Sequence, residues 1–342
     1  MTINNFQCNG YVIFSTKIFL YTIYSIGLIS FYFSRFEQFS INIFPLHCYI
    51  CLVFHAIIII IMFLFPNLRE LIYTYSSVNN VMFSQVAAYR IAGFSGGGSA
   101  LLSFFQATGI LLSIYLIEKR TLSFFWSVIG NILLFISLVL TGRTGILFSC
   151  LIILFFAPRL FLKKTFLVNF IFSIFFFILL ATIILKYLSA NPNFLTAIER
   201  FLADFGIGTY SLQSRNTFEV LKEHIFFPDQ LLSLKTFLFG TSSNGREQLM
   251  WLYSDIGYIK DLFMGGIVGC ITLYTIFSLI LYYTLKYGRT VLSKYIVFFG
   301  ILLFIFNFKE SALAGRHILF LFLALFHLDH QVSHLRINEH LV

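Results

Sequence analysis

Long apolar runs separated by short polar turns dominate the chain. They cover about 11–33, 46–65, 98–117, 122–141, 145–161, 166–186, 264–285, 295–308 and 316–329. Most are apolar on all sides, as a helix surrounded by lipid or core would be. Most also approach the roughly 20 residues needed to cross a bilayer, the last two being shorter. The pattern predicts nine transmembrane helices. It lapses once, over 187–260, which has ordinary soluble-protein polarity. That stretch carries seven Lys/Arg (counting Lys186) and eight Asp/Glu (counting Asp261). The chain thus reads as about six helices in 1–186, a large loop in 187–260, and about three helices with a short tail in 261–342. Loops longer than about 15 residues tend to be functional or disordered. Phe194, Phe201, Phe205, Phe226, Phe227 and Phe237 argue for order. Short helices at the membrane surface are expected, one of them between a Ser214 cap and Pro228. The predicted fold is an all-α polytopic membrane bundle with one long extracytoplasmic loop containing short helices.

Composition agrees. The chain is 59% hydrophobic and 11% charged, against about 45–50% and about 25% in soluble domains. The net charge of +9 is spread over the turns, which suits membrane orientation and not a nucleic-acid surface. Ten cations (Arg35, Lys119, Arg120, Arg159, Lys163, Lys164, Lys286, Arg289, Lys294 and Arg336) fall on one side. Five fall in the short loops of the other side: Arg69, Arg90, Arg143, Lys309 and Arg316. The positive-inside rule makes the first side cytoplasmic, with the N-terminus and the 187–260 loop outside. The first apolar run reads as a retained span, because 1–11 lacks a charged leader and a small-residue cleavage site. Five cysteines in or near apolar segments indicate no disulfide framework.

Against this background Arg143 stands out. It lies in Thr141-Gly142-Arg143-Thr144-Gly145, between two charge-free runs. An arginine at a bilayer centre costs roughly 2.5–3.5 kcal/mol, which makes a functional role the default reading. Its planar fork suits a phosphate; the bland alternative is an interfacial anchor. Arg90, Arg215, Lys309 and Arg316 map to the same outer side and are candidates for the same polyanion. Arg215 can instead pair with Glu219 along a helix, and Lys309 with Glu310. Asp255, in Ser254-Asp255-Ile256-Gly257-Tyr258, is a candidate base or hydroxyl-orienting group, or a helix N-cap. His224 is the one histidine of the long loop and a second candidate base. His47, Cys48, Cys51 and His55 have ligand-like spacing but no acidic partner nearby, so they read as helix packing. The 93–99 glycine-rich stretch lacks the lysine of a phosphate-binding loop. No metal site is expected.

Several of these segments, in this order, resemble Wzy-type O-antigen polymerases. The resemblance rests on Arg90-Ile91-Ala92-Gly93-Phe94, the Thr141–Gly145 turn, the long outer loop, and Leu238-Phe239-Gly240 followed by Ser254–Ile259 and Gly265-Gly266. It covers most of the chain by architecture and about 30 residues by motif. Nine spans are fewer than the family's usual number. His224 does not align with the histidine motif of the related O-antigen ligases, which favours polymerase over ligase. The resemblance implies a glycosyltransferase of the bacterial inner membrane that needs no cofactor. It would move a growing undecaprenyl-diphosphate-linked polysaccharide onto a new lipid-linked repeat, in functional contact with a chain-length regulator. Arg143, Arg215, Arg90, Arg316 and Lys309 would hold diphosphate or sugar, and Asp255 or His224 would serve the acceptor hydroxyl. A flippase for lipid-linked repeats is the competing class. It should show internal repeats, and none is visible.

Overall fold

A computed structural model describes residues 10–35, 41–75, 91–94, 99–161, 225–241, 246–247, 250–251, 256–310 and 316–339, with single positions at 182, 186 and 222. Among the described residues the fold is helical apart from one minimal ladder. In it β1 (Arg246–Glu247) pairs antiparallel with β2 (Met250–Trp251), Arg246 opposite Trp251. A ladder of two residues per strand leaves the expected all-α class intact. The helices are α1 (Gly10–Arg35), α2 (Ile43–Leu64), α3 (Pro66–Tyr75), α4 (Ser99–Glu118), α5 (Phe124–Thr141), α6 (Arg143–Phe161), α7 (Leu234–Phe239), α8 (Gly257–Tyr287), α9 (Val291–Phe306) and α10 (Arg316–Glu339).

Five of them (α1, α2, α4, α5 and α8) are long and apolar enough to cross a membrane, and α6, α9 and α10 contain shorter apolar helices. Eight of the nine predicted spans therefore coincide with helices. The ninth, 166–186, lies outside the described residues apart from the helical positions Thr182 and Lys186. Two boundaries moved most. α8 begins at Gly257, seven residues before the predicted start at 264, and α10 continues to Glu339. Lys260 and Asp261 gave the start of α8 the look of a loop. Asp261 is nonetheless 3% exposed, because partners inside the bundle satisfy it.

The helices form two compact units. In the unit spanning Asn42–Asn216, α4 is the centre and packs on α2, α5 and α6. Of its apolar window 78% is buried, against 11% for α1. Its serines donate within the helix: Ser103 to the Ala100 carbonyl and Ser113 to that of Ile110. This is how serine is tolerated where no water reaches. Pro66 ends α2 and opens α3 at the first helical position, where its missing N–H costs nothing. Ser123 caps α5 by accepting the Trp126 N–H at 3.4 Å.

The other unit comprises Met1–Ile41 and Thr217–Val342. Here α1 lies along α10, α9 packs on α8 and α10, and α7 packs on α8. Thr290 and Ser293 form a capping box at the start of α9. Both side chains donate to the buried Asp329 carboxylate, Ser293 at 2.8 Å. That acid lies at the positive end of the α9 dipole, where a negative charge is favoured. Phe19, Ile23, Tyr24 and Phe31 on α1 and Ile271, Ile276 and Leu279 on α8 are exposed, as lipid-facing side chains are.

Candidate functional site

The Arg143 turn is built with little slack. α5 ends at Thr141 and α6 starts at Arg143, with only Gly142 between. The Gly142 N–H donates to the Leu138 carbonyl at 2.9 Å, and the Thr141 hydroxyl to that of Ser137 at 2.8 Å. One turn on, the Gly145 N–H donates to Ser103 Oγ at 3.1 Å. A Cβ at Gly145 would run into the Ser103 carbonyl, so this glycine lets α6 and α4 cross at backbone distance. Arg143 thereby becomes the first residue of a rigidly placed helix. Arg316 is the first residue of α10. Only the backbone placement of these two arginines is described.

Arg143 lies between the C-terminus of α5 and the N-terminus of α6, so the two helix dipoles act on that position in opposite senses. The N–H groups of a helix's first turn favour an anion, although here that of Gly145 is already given to Ser103 Oγ. Lys309 is different. It is half-buried in the turn after α9, and its N–H donates to the Phe306 carbonyl at 2.8 Å. A cation at a helix C-terminus is stabilising without any ligand.

The stretch after Arg90 meets the Arg143 turn. The Ile91 N–H donates to the Leu140 carbonyl at 3.0 Å, just before that turn. The Ala92 N–H donates to the Tyr73 hydroxyl at 2.9 Å. Gly93 has φ +59°, and a Cβ there would lie 2.5 Å from His55 Nε2. The Phe94 N–H donates to that same nitrogen at 3.3 Å. The N–H groups of Ile91, Ala92 and Phe94 and one left-handed glycine therefore pin 91–94 to α5, α3 and α2. Ile91, Ala92 and Tyr73 belong to one apolar cluster with Ile59, Met62, Phe63, Leu102 and Leu140.

His55 is the hub of this corner. Its Nδ1 lies 2.7 Å from the Gln106 side-chain amide, whose Oε1 is otherwise buried without a partner. Neutral imidazole has one donor and one acceptor nitrogen. With Gln106 turned to present Oε1 to an Nδ1–H, Nε2 is left to accept from Phe94. Spacing alone had set His55 beside His47 and Cys51 as packing; its role is to hold this backbone. No His/Cys/Asp/Glu group able to hold a metal occurs among the described residues, and Cys48, Cys51, Cys150 and Cys270 are free thiols.

The second unit holds the other motif. Helix α8 is broken at Gly266 (φ +61°, ψ −170°), and the chain after α7 docks into the break. The Thr241 N–H and hydroxyl both donate to the Phe263 carbonyl, at 2.8 and 2.9 Å. Gly240, also left-handed at φ +71°, lies against Gly266 so closely that a Cβ on either would strike the other's backbone. Leu238-Phe239-Gly240 and Gly265-Gly266, matched separately in the sequence, are thus two sides of one junction.

Just before the break lies a polar network that sequence reasoning missed. Asp261 accepts from the Tyr274 hydroxyl at 2.6 Å and from Asn307 Nδ2 at 2.9 Å. The Asn307 carbonyl accepts the Gly257 N–H at 2.8 Å. The Tyr258 hydroxyl donates to the Phe304 carbonyl at 2.7 Å. These bonds tie the start of α8, two residues after Asp255, to the turn that carries Lys309. The N-cap of α8 is Ile256 and not Asp255. Asp255, His224, Arg90 and Arg215 lie outside the described residues. Comparison with family models, curated proteins and solved structures gives no match.

Proposed function

We propose that the chain is a Wzy-type O-antigen polymerase. In this reading it is a metal- and cofactor-independent glycosyltransferase at the periplasmic face of a bacterial inner membrane. It transfers the growing undecaprenyl-diphosphate-linked polysaccharide from its lipid carrier onto the sugar hydroxyl of a new lipid-linked repeat, and a chain-length regulator is the expected protein partner. The observation that carries this reading is the placement of Arg143. It is an arginine at the first position of a helix in a membrane-spanning bundle, and the Leu140 carbonyl just before its turn accepts the Ile91 N–H. Such a position favours a multiply charged anion held at the membrane boundary.

Within this reading Arg143, with Arg90, Arg215 and Arg316, stabilises charge developing on the leaving diphosphate. Asp255 or His224 orients or deprotonates the acceptor hydroxyl. Lys309 is an auxiliary cation. One observation favours a second reading. Transporters commonly build their substrate sites at discontinuous helices, and α8 is discontinuous at Gly266. That points to a flippase for lipid-linked repeats.

Deleting the gene and analysing the lipopolysaccharide separates the two. A polymerase defect leaves cores capped with a single repeat and no ladder. A flippase or ligase defect leaves bare cores. A normal ladder rejects every one of these readings.

A further inference from the structure

The end of the Asn42–Asn216 unit opposite the Arg143 turn carries a feature that the polymerase reading does not use. Between α2 and α5 runs an open groove of about 430 Å³, within the ~300–1,000 Å³ range of small-molecule sites. Tyr49, Ile50, Val53, Trp126, Ile129 and Leu133 are among its lining residues. At its wall, Gly130 lets Tyr49 pack against the α5 backbone. A Cβ there would strike the Tyr49 hydroxyl, which donates to the Ser127 carbonyl at 3.3 Å. Ile50 and Trp126 are 53% and 63% exposed, so the groove opens on the surface of this unit. In a helix pair of this hydropathy that surface faces lipid.

A basic turn leads directly into the groove's lining. Leu122, another lining residue, follows Lys119-Arg120-Thr121 directly. Arg120 is exposed and Lys119 half-exposed. The turn is fixed by Arg120, Thr121 and Leu122 N–H bonds to the Ile117 and Leu116 carbonyls, with Arg120 at φ +55°. Glu118 is the only acid between Leu112 and Trp126. An apolar channel, an interfacial tryptophan and a basic turn at one end match the three parts of a membrane lipid: acyl chain, glycerol zone and phosphate.

We propose that this groove binds one acyl chain of an anionic phospholipid whose headgroup lies on Lys119 and Arg120. The lipid belongs to the leaflet at the basic end of the bundle. The site is independent of any transferase activity, so the proposal stands or falls apart from it.

The chain has two tryptophans, Trp126 in the groove and Trp251 in β2. A Trp251→Phe variant therefore turns Trp126 into a private reporter. It is reconstituted in phosphatidylcholine bilayers with small mole fractions of brominated-chain lipid, and quenching is measured. Brominated phosphatidylglycerol should occupy the site roughly five- to thirty-fold better than brominated phosphatidylcholine, from about 1 kcal/mol per nearby cation. Lys119→Gln with Arg120→Gln should bring that ratio to about one, and Arg120→Gln alone, at an exposed position, should lower it part-way. Ile50→Phe with Leu133→Phe should fill the groove and weaken quenching by both lipids. Equal quenching by the two lipids in the reporter protein overturns the proposal, as does selectivity that survives the double glutamine variant. Relief of quenching by undecaprenyl phosphate at lower mole fraction than by unbrominated phosphatidylglycerol also overturns it, in favour of an isoprenoid occupant.

Discussion

The Gly240–Gly266 junction yields the sharpest prediction. Gly266 combines φ +61° with ψ −170°, a region open almost only to glycine, and a side-chain-bearing residue there costs about 1–3 kcal/mol. An alanine Cβ would also run into the Gly240 nitrogen and the Leu238 carbonyl oxygen. These are backbone atoms that cannot swing aside as a side-chain tip can. Overpacking of this kind costs about 1–3 kcal/mol more. Holding the junction closed in Gly266→Ala therefore costs about 2–6 kcal/mol. Opening it instead forfeits the two Thr241 bonds to the Phe263 carbonyl, at about 0.5–1.5 kcal/mol each. Opening is the cheaper course over most of that range, so the 238–241 segment should leave the break while the rest of the bundle survives.

Amide exchange in detergent or nanodiscs reads this directly. The Thr241 amide should exchange at least roughly thirty-fold faster, corresponding to about 2 kcal/mol of lost protection. Gly240→Ala attacks the same contact from the other side. The double variant should cost little more than either single one, since each alone already opens the junction. Gly27→Ala is the control. Nothing lies within 4 Å of its Cβ position in α1, so it should be neutral or stabilising by about 0.5–1 kcal/mol. Unchanged Thr241 exchange in Gly266→Ala, or additive losses in the double variant, would refute the account of a glycine-dependent plug.

Other expectations follow from the same geometry. Arg143→Ala, at normal protein level, should abolish the polysaccharide ladder, and Arg143→Lys should restore it only partly because an ammonium lacks the bidentate fork; an intact ladder would make Arg143 an interfacial anchor. Asn307→Leu takes a donor from the buried Asp261 carboxylate and should cost about 1.5–3 kcal/mol, read as a lower unfolding temperature in detergent. Tyr73→Phe leaves the buried Ala92 N–H without its acceptor, costing about 1–3 kcal/mol and speeding exchange at 91–94. Burial pushes the Tyr73 hydroxyl above its ordinary value of 10, and the Ala92 bond and the Arg69 charge only partly offset this. Its contribution to stability is thus full below about pH 10 and fades as pH rises through the folded-state value, and Tyr73→Phe should flatten that alkaline loss. Polymer formation by purified protein should persist in excess chelator, and its loss would contradict a metal-free mechanism.

The sequence made the spans legible because an apolar run has one cheap outcome in lipid: a helix that pairs its own backbone groups. It could not show where Asp261 belongs. A carboxylate at the edge of an apolar run looks like a loop residue until Tyr274 and Asn307, 13 and 46 positions away, supply its hydrogen bonds. The same holds for Tyr73 and His55. Their work is to accept N–H groups from a segment distant in sequence, and no local pattern records that. A possible signal lay in the glycines: Gly93, Gly240 and Gly266 all take left-handed φ values, and two of the three face another backbone. Such positions mark where chain meets chain. In this protein they coincide with the arginine stretch and with the end of the long loop. Within the proposed function, substitution at Gly93, Gly240 or Gly266 should lower activity by misplacing the segments these glycines anchor and not by removing charge. The two are separable: raised substrate concentration should leave Arg143→Ala inactive, whereas Gly93→Ala should recover part of its activity at lower temperature, where the displaced segment re-docks.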